Sequence, residues 1–153
     1  MREIIFRGKD TDTGEWVYGY YVELCDPCRK PIRNIERVSY RIYTGVADSE
    51  TSGEGYNFTE EWYEVDPDTV GQYIGLKDKN GNKIFKGDIL AVCVLPFTHE
   101  EKPVTVVFDK NEACFILVID EKTKSFYRFQ DIMECEVIGN VVDNPELLKG
   151  GEE

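Results

Sequence analysis

The sequence predicts a mainly β fold with very little helix. Three observations carry that prediction: turn signals recur at close spacing, the runs between them are short and rich in Val, Ile, Tyr and Phe, and aromatics form 12% of a chain that is 41% hydrophobic. Many short strands with frequent turns favour a small barrel or sandwich over a layered α/β architecture. A chain of 153 residues can bury about 68–70% of its unfolded surface, so it needs no covalent or metal staple to fold.

The strands follow in order. Ile4-Ile-Phe6 reads as the first, and a turn at Thr13-Gly14 leads to Trp16-Val-Tyr-Gly-Tyr-Tyr-Val22. Pro27 and Pro31 interrupt the chain, so Cys25 to Asn34 reads as a loop. From Ile35 to Tyr43, Ile35, Arg37, Ser39 and Arg41 alternate with Glu36, Val38, Tyr40 and Ile42, which sets charge on one face of a third strand. Gly45 to Gly55 has the Asp, Ser, Thr, Glu and Gly composition of an exposed excursion.

The run from Val70 to Leu95 is the most informative. Val70-Gly-Gln-Tyr-Ile-Gly-Leu76 leads into Asp78-Lys-Asn-Gly81, where Asn80-Gly81 supplies the two positive-φ residues that a type I′ hairpin turn requires. A second turn at Gly87-Asp88 precedes seven consecutive apolar residues, Ile89 to Leu95, which read as a strand covered on both faces. Val104 to Phe108 and Ala113 to Ile119 form a hairpin across Asp109-Lys-Asn-Glu112. Phe126 to Phe129 and Glu136 to Val142 supply the last strands, and Asn144-Pro145 has the N-cap and first-position proline of one short helical turn.

Charge excludes some functions and leaves others open. The net charge of −12 opposes binding to nucleic acid. It is unevenly placed: no basic residue lies between Arg41 and Lys77, where Asp48, Glu50, Glu54, Glu60, Glu61, Glu64, Asp66 and Asp68 fall. Just before them Arg29, Lys30, Arg33, Arg37 and Arg41 oppose only Asp26 and Glu36. The first ten residues hold three apolar residues in a row, neither a secretory core nor a membrane span, so a cytoplasmic protein is expected. Of the five cysteines, Cys93, Cys114 and Cys135 sit in apolar β-type segments, as small hydrophobes rather than a disulfide framework.

Four blocks, in order, resemble the YopX family of bacteriophage and prophage proteins. They are Met1-Arg-Glu-Ile-Ile-Phe-Arg7; Trp16-Val-Tyr-Gly19; Thr69 to Leu76 through Asp78-Lys-Asn-Gly81 to Ile84-Phe-Lys-Gly-Asp-Ile89; and Glu136-Val-Ile-Gly-Asn140 with Asn144-Pro-Glu-Leu-Leu148. The resemblance implies a single unit over residues 1–153, with an N-terminal β region at 1–68, an SH3-like barrel at 69–149 and a tail at 150–153. It implies phage or prophage origin and brings no catalytic residues. Cys25 to Tyr63 departs from the shared pattern, so a function particular to this chain is expected there.

The chemical signals are sparse. Cys25-Asp-Pro-Cys28 is the one local metal or redox pattern, but structural zinc needs four ligands, and Pro31 stops the helix that would depress a thiol pKa. His99, the only histidine, lies in the polar loop Thr98-His-Glu-Glu-Lys102, and Ser39, Ser49, Ser52 and Ser125 occupy no nucleophile elbow. Asp10-Thr-Asp-Thr-Gly14 lacks the later ligands of a calcium loop, and Gly53-Glu-Gly55 lacks the lysine of a phosphate loop. Glu60 and Glu61 are adjacent on a strand and point to opposite faces, so they cannot flank one glycosidic bond. Asp10 and Asp88 are expected to bond turn amides.

No catalytic, cofactor or metal site is therefore expected. The expected function is that of a non-enzymatic accessory protein that binds an unidentified protein or its own copies. Two alternatives remain: a DNA mimic built from the acids between Asp48 and Asp68, and weak nucleic-acid binding. The latter would use Arg33, Arg37 and Arg41 with Tyr40 and Tyr43, or the hairpin lysines Lys77, Lys79, Lys83 and Lys86.

Overall fold

The computed structural model describes residues 3–25, 38–48, 58–93, 103–120 and 125–149. Within these the chain is mainly β: its regular elements are antiparallel strands and three short 3-10 turns, with no α-helix among the described residues. It divides into two compact units, Ile4–Gln72 and Tyr73–Glu153, the latter taking in Met1–Glu3.

The first unit contains β1 (Phe6–Lys9), β2 (Trp16–Cys25), β3 (Val38–Asp48) and β4 (Phe58–Glu64), ordered β4-β3-β2-β1. β5 (Gly71–Lys77) starts in this unit, where Gly71 and Gln72 pair with Arg7 and Phe6. The β1–β2 turn closes as predicted: Asp10 N donates to Glu15 O at 2.9 Å, and Gly14 adopts φ 72°. Asp10 accepts from Thr13 Oγ1 at 2.7 Å and from Asp12 N at 3.3 Å, so its carboxylate shapes the turn. Ile42 and Val65 are fully buried on one face of this sheet. That packing needs small partners: a Cβ on Gly8 would lie 3.1 Å from Val65 Cβ, and one on Gly19 would strike the Tyr43 carbonyl.

The second unit holds the rest of β5 with β6 (Lys83–Phe85), then β7 (Asp88–Cys93), β8 (Pro103–Asp109), β9 (Cys114–Asp120), β10 (Ser125–Tyr127) and β11 (Glu134–Asn140). Five of these form a sheet ordered β10-β9-β8-β7-β11. Ile74, Ile84, Leu90, Val92, Val104, Val106 and Leu117 make its core. β7 is the covered strand that the apolar run predicts, with Ile89 and Leu90 fully buried. The sheets are not closed: β10 and β11 end the five-strand ladder, and no pairing joins them among the described residues.

Several local readings need correction. The turn at Asp78–Gly81 is not type I′, because only Gly81 has positive φ, at 85°. Gly81 N donates to Asp78 O at 3.0 Å and Asp78 N to Asn82 O at 2.9 Å, the pattern of a type I turn followed by a left-handed glycine. The Asp78 side chain selects it by accepting from the amides of Asn80 and Asn82. The excursion does not begin at Gly45, since β3 runs to Asp48 and pairs with β4, accommodated by a register shift between Tyr43 and Gly45. Cys93 is exposed at the end of β7 rather than packed as a small hydrophobe, and the four described cysteines are free. The 3-10 turn Pro145–Leu148 forms, but Asn144 does not cap it; its Oδ1 faces Asn140 N at 3.4 Å. Cys28, His99, Arg29 to Arg37 and the acids at 50 and 54 lie outside the described residues.

Gly19→Ala should lower the thermal midpoint by an amount equivalent to about 1–3 kcal/mol, the usual cost of overpacking. Gly45→Ala, whose new Cβ meets nothing within 4 Å, should change stability by less than about 0.5 kcal/mol. Equal midpoints for the two variants in thermal denaturation would contradict the close β2–β3 approach.

Candidate functional site

The second unit presents a partly apolar groove beside the central hairpin. β5 leaves regular pairing between Tyr73 and Lys77, where Gly75 adopts φ 91°, and Leu76 emerges 46% exposed. Leu76 and Ile84 line a groove of about 310 Å³ together with Phe129, Ile132, Met133 and Cys135. Lys77, Asp78, Lys79 and Glu134 complete its lining. A second depression of about 230 Å³ shares Leu76 and Phe129 and continues over Ile74, Phe108, Ala113, Cys114 and Phe115. Met133 is 69% exposed and Phe108 40%, while Phe108 and Phe115 meet edge to face at 5.2 Å.

Asp78 fixes the shape of this groove. Its Oδ1 accepts from Asn80 N at 2.9 Å and Asn82 N at 2.8 Å; its Oδ2 accepts from Asn82 Nδ2 and, across to β11, from Val137 N, both at 3.1 Å. Burial raises its carboxyl pKa, but the bonds from Val137, Asn82 and Asn80 outweigh that effect and hold the carboxyl below its ordinary value. Lys79 N reinforces the link by donating to Cys135 O at 3.0 Å, and Met133 N donates to Cys93 O at 3.0 Å. Burial, with the charges of Asp78 and Glu134, pushes the Cys135 thiol up, so it stays protonated at neutral pH. This groove can receive apolar side chains; its thiol is poorly suited to nucleophilic work.

Two of the four hairpin lysines are engaged in ion pairs, while Lys77 and Lys86 are exposed. Lys79 Nζ lies 2.7 Å from Glu136 and 3.9 Å from Glu134, and Lys83 Nζ lies 2.9 Å from Glu3. The Lys79 bond holds the Glu136 carboxyl below its usual range. Asp88 accepts from Phe85 N at 2.7 Å, a turn role as expected. In the first unit Arg41 and Tyr43 share a face with Trp62, and Tyr40 lies on the other, so the proposed stripe is split. Glu61 and Glu64 leave opposite faces of β4, while Asp66 accepts from Asp68 N at 3.0 Å and caps a 3-10 turn. Among the described residues, no group of three or more His, Cys, Asp and Glu side chains could hold a metal ion. No helix among them is long and apolar enough to cross a membrane.

Sequence reasoning missed the groove because its residues come from a bulged strand end, a 3-10 turn and a strand start. The available signal was Leu76, Phe129, Ile132 and Met133, apolar residues beside turns where polar ones are usual.

These features define a small, mainly β protein of two compact units, the second of which carries a recessed, partly apolar surface. The chain belongs to the YopX protein family, whose model matches residues 5–149. It is similar to the crystal structure of protein EF1440 from Enterococcus faecalis, with 28% identity over 97% of this chain and 99% of that one, and a TM-score of 0.51. No curated protein matches it.

Asp78→Ala should destabilise the protein by about 1–3 kcal/mol, because it strips part-buried amides, Val137 N among them, of their acceptor and loosens the turn. The wild-type contribution is complete above the unfolded carboxyl value of about 3.9 and is lost as pH falls through the lower native value. Urea midpoints measured against pH should therefore fall more steeply in acid for wild type than for Asp78→Asn. Parallel profiles would contradict this role.

Proposed function

We propose that the protein is a non-enzymatic accessory protein of a phage or prophage, acting in the host cytoplasm by binding another protein through the groove around Leu76 and Phe129. The carrying observation is that Leu76, Phe108 and Met133 stand 46%, 40% and 69% exposed around that recess. A contiguous apolar patch set among charged residues is the usual mark of a protein contact. Rigidity supports the same reading. Asp78 ties the hairpin side of the groove to β11, so little ordering would accompany binding. The strand order of the second unit also suits a small SH3-like architecture that is open rather than closed. Self-association through the same groove is the variant of this reading in which the partner is a second copy.

Its test is affinity purification of tagged protein from the native host during prophage induction, with mass spectrometry and light scattering, for wild type and for Leu76→Glu/Met133→Glu. Both substitutions are at exposed positions, so the thermal midpoint should shift little. A stoichiometric partner or a dimer mass in wild type, reduced at least about tenfold in the variant, is the expected result. A monomer without partners, or a partner that the variant retains, would refute the groove as the contact.

A further inference from the structure

The first unit's sheet carries a second surface of different chemistry. Directly opposed residues of an antiparallel ladder share a face, and successive residues alternate. Arg7 opposes Tyr18 and Lys9 opposes Trp16; Tyr20 opposes Tyr43 and Val22 opposes Arg41; Tyr43 opposes Trp62 and Arg41 opposes Glu64. One face therefore gathers five aromatic rings and three cations. The other face carries Gly8, Gly19 and the buried Ile42 together with the rings of Phe6, Tyr21, Tyr40 and Tyr63, which include the Phe6–Tyr21 and Tyr21–Tyr40 contacts, and there is no cation among these residues.

The cations are laid against the rings. Arg7 sits 4.6 Å and Lys9 5.4 Å from the Trp16 ring centre, and Arg41 stacks 3.7 Å from that of Trp62. Arg41 is held from its other side by Ser39 Oγ, which accepts from its Nε at 3.0 Å. Tyr18, Tyr20 and Trp62 remain 49%, 68% and 42% exposed. Large rings left open on a sheet, in rows about 6.8 Å apart along β2, lose apolar contact with no compensating core. Cations beside them add attraction for anions.

We propose that this face binds single-stranded nucleic acid, with bases stacked on Tyr18, Tyr20 and Trp62 and phosphates drawn to Lys9 and Arg41. Alternating rings and cations match a ligand that alternates flat π surfaces with negative charge, and a four-stranded sheet bearing aromatics is a proven base platform. Duplex DNA keeps its bases stacked inside and would leave the rings idle. An anionic peptide would satisfy the cations alone. The chain's net charge of −12 is an average, whereas on this face Arg7, Lys9 and Arg41 face Glu64 as the one acid among its described side chains. Arg7 is buried and serves to fix Trp16 rather than to touch phosphate.

Both tryptophans of the chain, Trp16 and Trp62, lie on this face, so intrinsic fluorescence reports stacking directly. The test titrates the full protein with oligothymidylate of about eight nucleotides, a duplex of equal length, polyglutamate and a neutral cello-oligosaccharide, over a range of salt. Saturable quenching by the single strand is expected, with affinity falling with salt at a log–log slope of about −1.4 for two phosphate contacts. Tyr20→Ala should weaken binding about tenfold and Tyr20→Trp should restore it. Arg41→Gln should flatten the salt slope by about 0.7. Absence of quenching at millimolar oligonucleotide would overturn the proposal, as would equal binding of duplex or polyglutamate. So would salt-independent binding of the oligosaccharide alone, or a Tyr20→Ala variant of unchanged affinity. None of these readouts depends on the groove of the second unit, so either reading can fail without the other.

Discussion

The second unit depends on one buried carboxylate. Asp78 is 7% exposed yet accepts four hydrogen bonds, three from the turn it starts and one from Val137 on β11. A carboxylate offers about four lone-pair sites, so its capacity is filled. The arrangement solves two problems together. It gives the hairpin a right-handed first turn, and it supplies an acceptor for a strand amide where β11 departs from regular register between Val137 and Gly139. With that join made, Lys79 reaches Glu136, and Leu76 and Met133 come to stand on either side of one recess. The groove is a by-product of how the hairpin is anchored.

The strands were legible because their periodicity is local. Trp16 to Val22, Val104 to Phe108 and Ala113 to Ile119 each announce themselves through β-branched and aromatic residues bounded by turn signals, and each emerged within a few residues of its expected span. The apolar run that starts at Ile89 announced burial in the same way, and Ile89, Leu90 and Val92 are buried. What failed were readings whose answer lies far away in the chain. Asn80-Gly81 alone favours a type I′ turn, and only the Asp78 carboxylate, also engaged by Val137, tips it to type I with a left-handed glycine. Gly45 marked a loop by composition, yet pairing with β4 carries the strand through to Asp48. Cys93 looked like core because its neighbours are apolar, but it falls where the ladder ends.

The candidate sites were less legible still. The groove draws on residues from positions 74 to 135, and no spacing rule links a bulge at Gly75 to a methionine at the start of β11. The basic stripe was half visible. The expected stripe grouped Arg41 with both Tyr40 and Tyr43; the register sets Tyr43 beside Arg41 and Tyr40 on the other face, and adds Trp16, Tyr18, Tyr20 and Trp62, which the stripe did not include. Strand register is what assembles them, and register is set by turns and cross-strand partners that composition does not display.

On the aromatic face the local charge differs in sign from the summed charge of the chain. Coulomb attraction between surface groups is screened beyond about 8–10 Å at ordinary salt, so acids elsewhere in the chain act weakly on a ligand at this sheet. What acts is the first layer. There, Arg41 lies over the Trp62 ring and is bonded to Ser39, which restricts its side chain before any ligand arrives. Arg7 and Lys9 restrain Trp16 in the same manner. A ring and a cation that hold each other need not be ordered on binding, so the usual entropy cost of recruiting two long side chains is largely absent. The same pairing lowers the attraction each cation can offer, because part of its field is spent on the ring. A surface built this way should therefore bind modestly and with well-defined geometry, recognising the alternation of flat and charged groups rather than charge alone.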